Sequence, residues 1–491
     1  MHKGSFDVLI LGAGFAGSLT AIIARRLGLS VALIERSRHP RFAIGESSTP
    51  LANLMLESLA TTYDLPWLAT FSKYGPWKRH HPEVACGLKR GFTFFRHTPG
   101  VHFRPTADNA NALFVEASPD DERGDTHWYR ADFDAHLVER AVEAGVTYFD
   151  RTVIETIAHA NRWHLSATCP AGALSLDADF VVDATGACGA LASAIGLETV
   201  DSGFRTSSYG LYGHFRHVLP WEQILDELGG ASVRPPFSAD ASALHHIIDG
   251  GWMWVLRFDN GITSAGFSLD PQRHPASGAI SPDAQWQALV TAYPSIGRQF
   301  RGAQATMPIV RTGRLQRRLS AAAGEDWAAL PYTACFLDPW LSPGIAHTLF
   351  GVRRLARILG GADDSAPRRE QLRTYSETVL REVELMDRIT ATCFARFDCF
   401  EILASVTMPY FAAVTYMEER IRAGKGDEHD AFLLADNERF RAIVDGVCSA
   451  AMATDAKGAA GLARETAAAI EPYNTVGLCD PAKYNVYPFA P

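Results

Sequence analysis

The chain has 491 residues, 46 Lys plus Arg against 55 Asp plus Glu, and a formal net charge of −9. With 47% hydrophobic and 21% charged residues it has a folding composition, which excludes a disordered chain. The mild acidity argues against a general nucleic-acid binder. The length implies two or three domains, since a domain holds ~50–250 residues. The eight cysteines form no CxxC pair and no structural zinc spacing, so no metal is expected and a reducing cytoplasm fits. No apolar run reaches the ~18–20 residues needed to cross a bilayer, and residues 1–6 are too short and polar for a signal peptide. A cytoplasmic protein is expected.

Residues 6–11 (FDVLIL) read as a strand that runs straight into Gly12-Ala13-Gly14-Phe15-Ala16-Gly17. A helix follows over 18–27, with Gly28 placed to end it, and 31–34 form a second strand ending at Glu35. This is a complete βαβ unit carrying a dinucleotide fingerprint. Gly12 makes the tight turn, Gly14 lets the backbone approach a pyrophosphate, and Gly17 lets helix and strand pack closely, with Ala16 between them. The helix N-terminus then presents free N–H groups to phosphate. Glu35, followed by Arg36, stands where an acid binds a ribose 2′-hydroxyl, which argues against NADP.

A loop over a ligand is expected at 39–50, where Pro40, Gly45 and Pro50 break regular structure. Residues 50–60 read as a helix, 87–97 (GLKRGFTFFRH) as extended, 130–143 as a helix, and 146–154 and 163–167 as strands. Residues 180–183 form a buried strand ending at Asp183 and turning through Gly186. It is expected to join the first two strands in one parallel sheet. Asp259-Asn260-Gly261 joins two apolar runs as a hairpin, both turn residues tolerating positive φ. Residues 332–337 read as a further strand, followed by Asp338-Pro339-Trp340-Leu341-Ser342-Pro343-Gly344 and a helix to about 359. After 366 the chain reads as helical, with candidates at 367–390, 411–422 and 451–469. The expected domains are therefore 1–200 with 305–360 for the dinucleotide, 75–130 contributing to the substrate side, a β-rich substrate domain at 201–304, and a helical region at 361–491.

Asp183 and Gly186 after one strand, and Asp338 and Gly344 after another, add two turns facing a bound dinucleotide, the Asp338 carboxylate being placed to meet ribityl hydroxyls. Arg130 opens a helix beside them and could neutralise flavin or phosphate charge. Among the histidines, His214, His217, His245 and His246 are candidates for a base.

The whole arrangement resembles the FAD-dependent aromatic monooxygenase superfamily with its glutathione-reductase-type α/β fold. Within it the chain is most similar to the flavin-dependent halogenases, phenol-type members above all. The fingerprint, Pro40-Arg41-Phe42 with Gly45-Glu46-Ser47, Lys89 in Cys86-Gly87-Leu88-Lys89, Trp252-Met253-Trp254 and the 338–344 segment carry the resemblance. It implies FAD, delivered reduced by a separate NAD(P)H-dependent flavin reductase, and a chloride or bromide that a flavin hydroperoxide turns into hypohalous acid. Lys89 would direct that electrophile to a small aromatic substrate. The resemblance further implies that Gly45, Glu46 and Ser47 contact the cofactor and Ser342 and Gly344 the halide. Phe92 and Phe94 line a substrate pocket or fill a sheet core, and Trp252 and Trp254, at the spacing of one hairpin face, are further substrate candidates. Two positions depart from the family pattern: Arg257 replaces the proline of W-x-W-x-I-P, and Pro343 stands where a halide-binding N–H is expected, without an N–H to give. The rival readings are an FAD monooxygenase that hydroxylates or epoxidises, and a non-catalytic FAD-binding protein. Assembly is open, a homodimer included.

Overall fold

The computed structural model describes residues 2–200, 202–229, 237–276, 278–361, 366–425 and 430–489. Two sheets organise it. The first is built on β1 (His2–Leu11), β2 (Val31–Ile34), β7 (Thr147–Phe149), β8 (Val153–His159), β9 (Trp163–Cys169) and β10 (Gly172–Asp183), in the order β7-β2-β1-β10-β9-β8. The first four run parallel, and a short strand, Trp327–Ala329, adds parallel to β10. The expected common sheet for the early strands and the strand ending at Asp183 is therefore present. The four residues of β2 are all buried, as a central parallel strand requires. Helix α1 (Phe15–Arg26) crosses between β1 and β2, its first ten residues all buried.

The second sheet has nine strands, and its centre is antiparallel: Tyr209–Arg216, Thr263–Leu269, Gly251–Arg257 and Ala243–Ile248 in that order. Two strands from earlier in the chain extend it. β4 (Gly91–Arg96) lies parallel to Ala243–Ile248, and β5 (Ala112–Glu116) pairs with β4. β3 (Cys86–Lys89) stands apart as a ribbon with β6 (Asp125–Trp128). The extended 87–97 run is thus two strands in two sheets, broken at Arg90. A separate apolar core of Phe95, Trp221, Met253, Phe267, Trp286 and neighbours fills the far side of the large sheet.

Helices complete the other face: α2 (Pro50–Thr62), α3 (Pro66–Ala69), α4 (Tyr74–His80), α5 (Arg130–Glu143) and, later, Gly344–Leu359, Arg368–Ala395, Phe400–Arg422, Glu438–Ala453 and Ala459–Ile470. α2 starts where a proline at its first turn and the Thr49 hydroxyl, accepting from the Ala52 N–H, cap it.

Several expectations need correction. The 332–337 segment is a short helix, Pro331–Ala334, with only Cys335–Phe336 extended, because the proline at its first turn favours a helical start. The 146–154 run breaks at Arg151, which takes a positive φ of 46°. The 451–469 run is divided between two helices at Thr454 and Asp455, whose side chain caps the following turn. In the 259–261 turn only Gly261 takes positive φ. Among the described residues one helix, Phe400–Arg422, is long and apolar enough to cross a membrane by length and composition. Its apolar window is 78% buried against the rest of the fold, α2 and Ala459–Ile470 included.

Candidate active site

The C-terminal ends of β1, β2 and β10 open onto a cavity of about 1230 Å³ that runs from the fingerprint to the large sheet. The three glycines do different work there. A Cβ on Gly12 would stand 2.5 Å from the Ala184 carbonyl oxygen, and one on Gly17 would stand 2.0 Å from that of Gly12. Those two glycines hold the backbone together. A Cβ on Gly14 would meet nothing closer than 3.6 Å, the guanidinium nitrogens of Arg130 and Arg41. Gly14 therefore faces open space at a helix N-terminus, beside two guanidinium groups that share the Asp134 carboxylate, a setting that suits a pyrophosphate.

Glu35 is buried at the end of β2. Its carboxylate accepts from the Ala13 N–H (3.1 Å), the Ser37 N–H (2.9 Å) and Arg41 (3.1 Å). Burial opposes its ionisation, but Arg41 and these donors win and hold it below its ordinary value. Arg36 is exposed at the rim and lines the same cavity. Ala16, Gly45, Glu46, Ser47, Gly186 and Gly344 line it too.

Three charged residues expected to meet the cofactor are already committed. Arg130 makes a two-pronged pair with Asp134 at 2.8 Å and donates to the Ile44 and Gly45 carbonyls. It borders the cavity, but its main task is to pin the 39–50 loop to α5. The Asp183 carboxylate accepts from the Thr185 N–H and hydroxyl and from the Leu191 N–H, so it caps the turn that presents Gly186 and does not itself reach the cavity. Asp338 is the clearest correction. Its two oxygens accept from the Ser208 and Ser268 hydroxyls, the Trp252 indole N–H and the Trp340 N–H. No lone pair is left for a ribityl hydroxyl. Asp338 ties the 338–344 loop to the large sheet, and burial raises its pKa.

Beyond Asp338 the loop holds two successive non-glycine residues in the left-handed region, Leu341 (φ 64°) and Ser342 (φ 56°). Such strain persists only where the surroundings impose it: here the Tyr410 hydroxyl grips the Leu341 carbonyl and the Ser342 N–H donates to the Pro339 carbonyl. Pro343 (φ −75°) then leads into the helix Gly344–Leu359. The N–H groups of Gly344, Ile345 and Ala346 have no intrahelical acceptor, and Gly344 and Ile345 line the cavity with Ser342 and Pro343.

On the large-sheet side, Phe42, Tyr212, Trp254 and Trp252 form a continuous aromatic wall, neighbouring ring centroids lying 6.4, 6.1 and 5.7 Å apart. Phe92 and Phe94 do not line the cavity. They pack beneath it, Phe94 stacking on His245 at 4.4 Å. His245, which does line the cavity, is fixed by an Nδ1 bond to the Thr93 carbonyl, and burial lowers its pKa to about 3, too low for a base near neutrality. His246 packs against Phe95 and Trp221 of the second core and His217 is exposed, while His214 pairs with Glu46 at 2.7 Å. The other Glu46 oxygen is buried without a partner, a polar atom that a bound group would satisfy.

Lys89 is wholly buried, one layer behind this wall. Its Nζ donates to the Ser47 hydroxyl (2.9 Å) and the Ser48 carbonyl (2.6 Å) and lies 3.9 Å over the Phe92 ring. Lys89 does not line the cavity, whereas Ser47, which it binds, and His245 do. Across the ribbon its direct partner is Asp125, also wholly buried, which accepts from the Asn53 amide and pairs with Lys73 at 3.6 Å. Burial lowers the Lys89 pKa to about 7, partly offset by Asp125, and burial raises that of Asp125 to about 6. Nothing in the sequence pointed to Asp125, Tyr212 or Tyr332 of the cavity lining, because their places are set by strand register and long-range packing. Arg257 is turned away from the cavity. It binds Asp240 and the Val218 and Leu219 carbonyls, anchoring the helix Trp221–Glu227.

Comparison with known proteins finds two family profiles on the chain, FAD dependent oxidoreductase over residues 7–235 and tryptophan halogenase over residues 126–396. The chain is 30% identical over 407 residues to the monodechloroaminopyrrolnitrin halogenase PrnC of Pseudomonas fluorescens, covering 81% of this chain and 69% of that one. It is 27% identical over 425 residues to the tetracycline 7-halogenase of Kitasatospora aureofaciens, covering 85% and 74%. Among solved structures, the halogenase PltM in complex with phloroglucinol and FAD shares the fold, with a TM-score of 0.86 over 98% of this chain and 99% of that one at 23% identity. The flavin-dependent brominase Bmp2 gives 0.63 over 96% and 99% at 18% identity.

Proposed function

The chain belongs to the tryptophan halogenase family and is an FAD-dependent halogenase, and from that premise we propose that it halogenates a small, free, electron-rich phenol. The observation that carries the phenol is the likeness of fold, over nearly the full length of both chains, to a halogenase seen with phloroglucinol. The aromatic wall of Phe42, Tyr212, Trp254 and Trp252 offers such a ring apolar faces on which to stack.

The cavity fits the cofactor: open space at Gly14, an acid at Glu35, cations at Arg41 and Arg130, and an unclaimed helix N-terminus at Gly344. FAD, bound there in its reduced form, supplies with oxygen the equivalents that convert halide to hypohalous acid. The 39–50 loop, held by Arg130, closes over that space. The N–H groups of Gly344 and Ile345 are the halide donors we assign, Pro343 having none and the Ser342 N–H being spent on Pro339. Lys89 is the residue we assign to direct the hypohalous acid. Two of its N–H groups are fixed on Ser47 and Ser48, and the buried Asp125 carboxylate opposite favours the charge, so we assign the ammonium as the working form. It acts through Ser47, whose oxygen it binds and whose hydroxyl proton is left for the cavity, to hold the hypohalous acid and make its halogen more electrophilic toward the ring.

The sequence carries one dinucleotide fingerprint, so reduced FAD comes from a separate NAD(P)H-dependent flavin reductase by diffusion. Eight cysteines without a disulfide fit a cytoplasmic setting. We keep the domain division the sequence suggested as our proposal, with β4, β5 and the strand Val310–Arg314, which pairs in the large sheet, on the substrate side.

The test is turnover with a flavin reductase, NADH, FAD and chloride or bromide over a panel of phenols and indoles, read by mass spectrometry. Halogenated phloroglucinol-like products with indoles untouched are expected. Halogenated indoles alone, or oxygenated product without halogen, would replace the reading. Lys89→Ala should keep FAD affinity and hypohalous acid release while losing ring halogenation.

A further inference from the structure

We propose that His81, Glu83 and His136 form a binding site for a divalent transition metal of the zinc class, separate from the cavity above. Their ligand atoms all lie within 4.8 Å of one another. His81 follows α4 directly, Glu83 sits in the connection to β3, and His136 projects from α5.

The hydrogen bonds around His81 fix its tautomer. The Thr70 hydroxyl has a single proton and donates it to the Trp67 carbonyl at 2.5 Å. It is also 2.8 Å from His81 Nε2, so there it accepts, and Nε2 carries the ring proton. In the neutral ring Nδ1 then presents a bare lone pair, and Nδ1 faces a Glu83 oxygen at 3.7 Å. Two lone pairs confront each other across a gap that a cation fills. The Thr70 contact is also the outer-shell bond that a metal-binding histidine makes with its second nitrogen. The ring is held flat by Phe71, stacked at 4.1 Å with an interplanar angle of 14°.

His136 supplies the second imidazole. Its Nε2 is buried and has no hydrogen-bond partner, and its ring lies 5.2 Å from that of His81. Arg140, one turn beyond His136, is drawn aside over the Trp67 ring at 4.7 Å. Zinc bonds to nitrogen and carboxylate oxygen are ~2.0–2.2 Å long, which sets ligand atoms roughly 3.4 Å apart. Glu83, with 64% of its side chain exposed, is free to close that distance. Two imidazoles and a carboxylate leave a fourth position for water and suit zinc, nickel or cobalt more than magnesium or calcium. A metal here would clamp the connection leading to β3, which ends in Lys89, onto α5, which begins with Arg130. Nothing in the sequence spacing revealed it, because His136 comes from a distant helix.

Calorimetric titration of the FAD-loaded, full-length protein with Zn²⁺ should give one saturable equivalent, reversed by EDTA. X-ray absorption of that complex should show a nitrogen and oxygen shell with two imidazoles and no sulfur. Glu83→Gln, at an exposed position that folding does not depend on, and Thr70→Val should each weaken binding about tenfold or more. His136→Ala should abolish it, and His80→Ala should leave it unchanged. A sulfur-containing shell, no saturable equivalent, or binding equal in the native, Glu83→Gln and His136→Ala proteins would overturn the proposal.

Discussion

Asp125→Asn tests how Lys89 is kept charged. Lys89 and Asp125 face each other across β3 and β6, both wholly buried. Burial pulls the Lys89 pKa down to about 7, and Asp125 is the charge that opposes the fall. Neutral His127 and His245 lie nearby and supply no compensating charge, burial having lowered each pKa to about 3. On the far side Asp125 is met by Lys73 and, more weakly, Glu418. A generic charge pair ~6 Å apart at an effective dielectric near 20 is worth about 2.8 kcal/mol, or about two pK units, which sets the order of magnitude for opposed residues on neighbouring strands. Asparagine keeps the shape and removes the charge, so the Lys89 pKa should fall toward about 5. At pH 7 the ammonium fraction would drop from about one half to about one hundredth, a loss of roughly fiftyfold in halogenation kcat. The sign follows from the cation being the working form: activity is present below the lysine pKa and lost as pH rises through it. The alkaline limb of kcat should therefore move about two units down in Asp125→Asn, with FAD affinity unchanged and activity recovered near pH 5. An alkaline limb that stays in place would refute the coupling. A rate that instead climbs as pH rises through the lysine pKa would refute the ammonium and assign the neutral amine.

Gly14→Val should weaken FAD binding at least about a hundredfold by fluorescence titration with Tm nearly unchanged, because its side chain enters the pyrophosphate space and no backbone. Gly17→Ala should instead lower Tm, its Cβ falling 2.0 Å from the Gly12 carbonyl oxygen. Pro343→Thr restores an N–H at a φ of −75° that any residue adopts, so the chloride KM should fall, and bromide, cheaper to dehydrate, should lose part of its advantage. An unchanged chloride KM would place the halide elsewhere. Glu382→Ala should cost about 3–5 kcal/mol in urea denaturation, since it strands buried Arg354 and His347, both of which bind that carboxylate.

What could be read from the sequence was the local part. The βαβ unit was legible because strand, turn, helix and acid follow one another within thirty-five residues, and each glycine has a reason in the turn itself. Asp338 was not legible, although the residue was singled out. An aspartate ending a strand before a helix announces a carboxylate near a ligand. Whether its lone pairs are free depends on Ser208 and Ser268, which are 130 and 70 residues away in the chain and reach it only once the large sheet has formed. Arg257 shows the converse. Read against the family's proline it is a departure, yet its guanidinium is taken up by Asp240 and two carbonyls outside the cavity, so the substitution leaves the site's chemistry untouched. Lys89 combines both cases. Its type and motif mark it, but the property that makes it reactive is its environment, set by the register of β3 against β6 and by the loop carrying Ser47 and Ser48. A lysine motif alone would be compatible with an ordinary solvated amine of pKa ~10.4. Burial beside a single carboxylate turns the same side chain into a group that titrates near neutrality, which is why the decisive substitution lies at Asp125, on the strand opposite the motif.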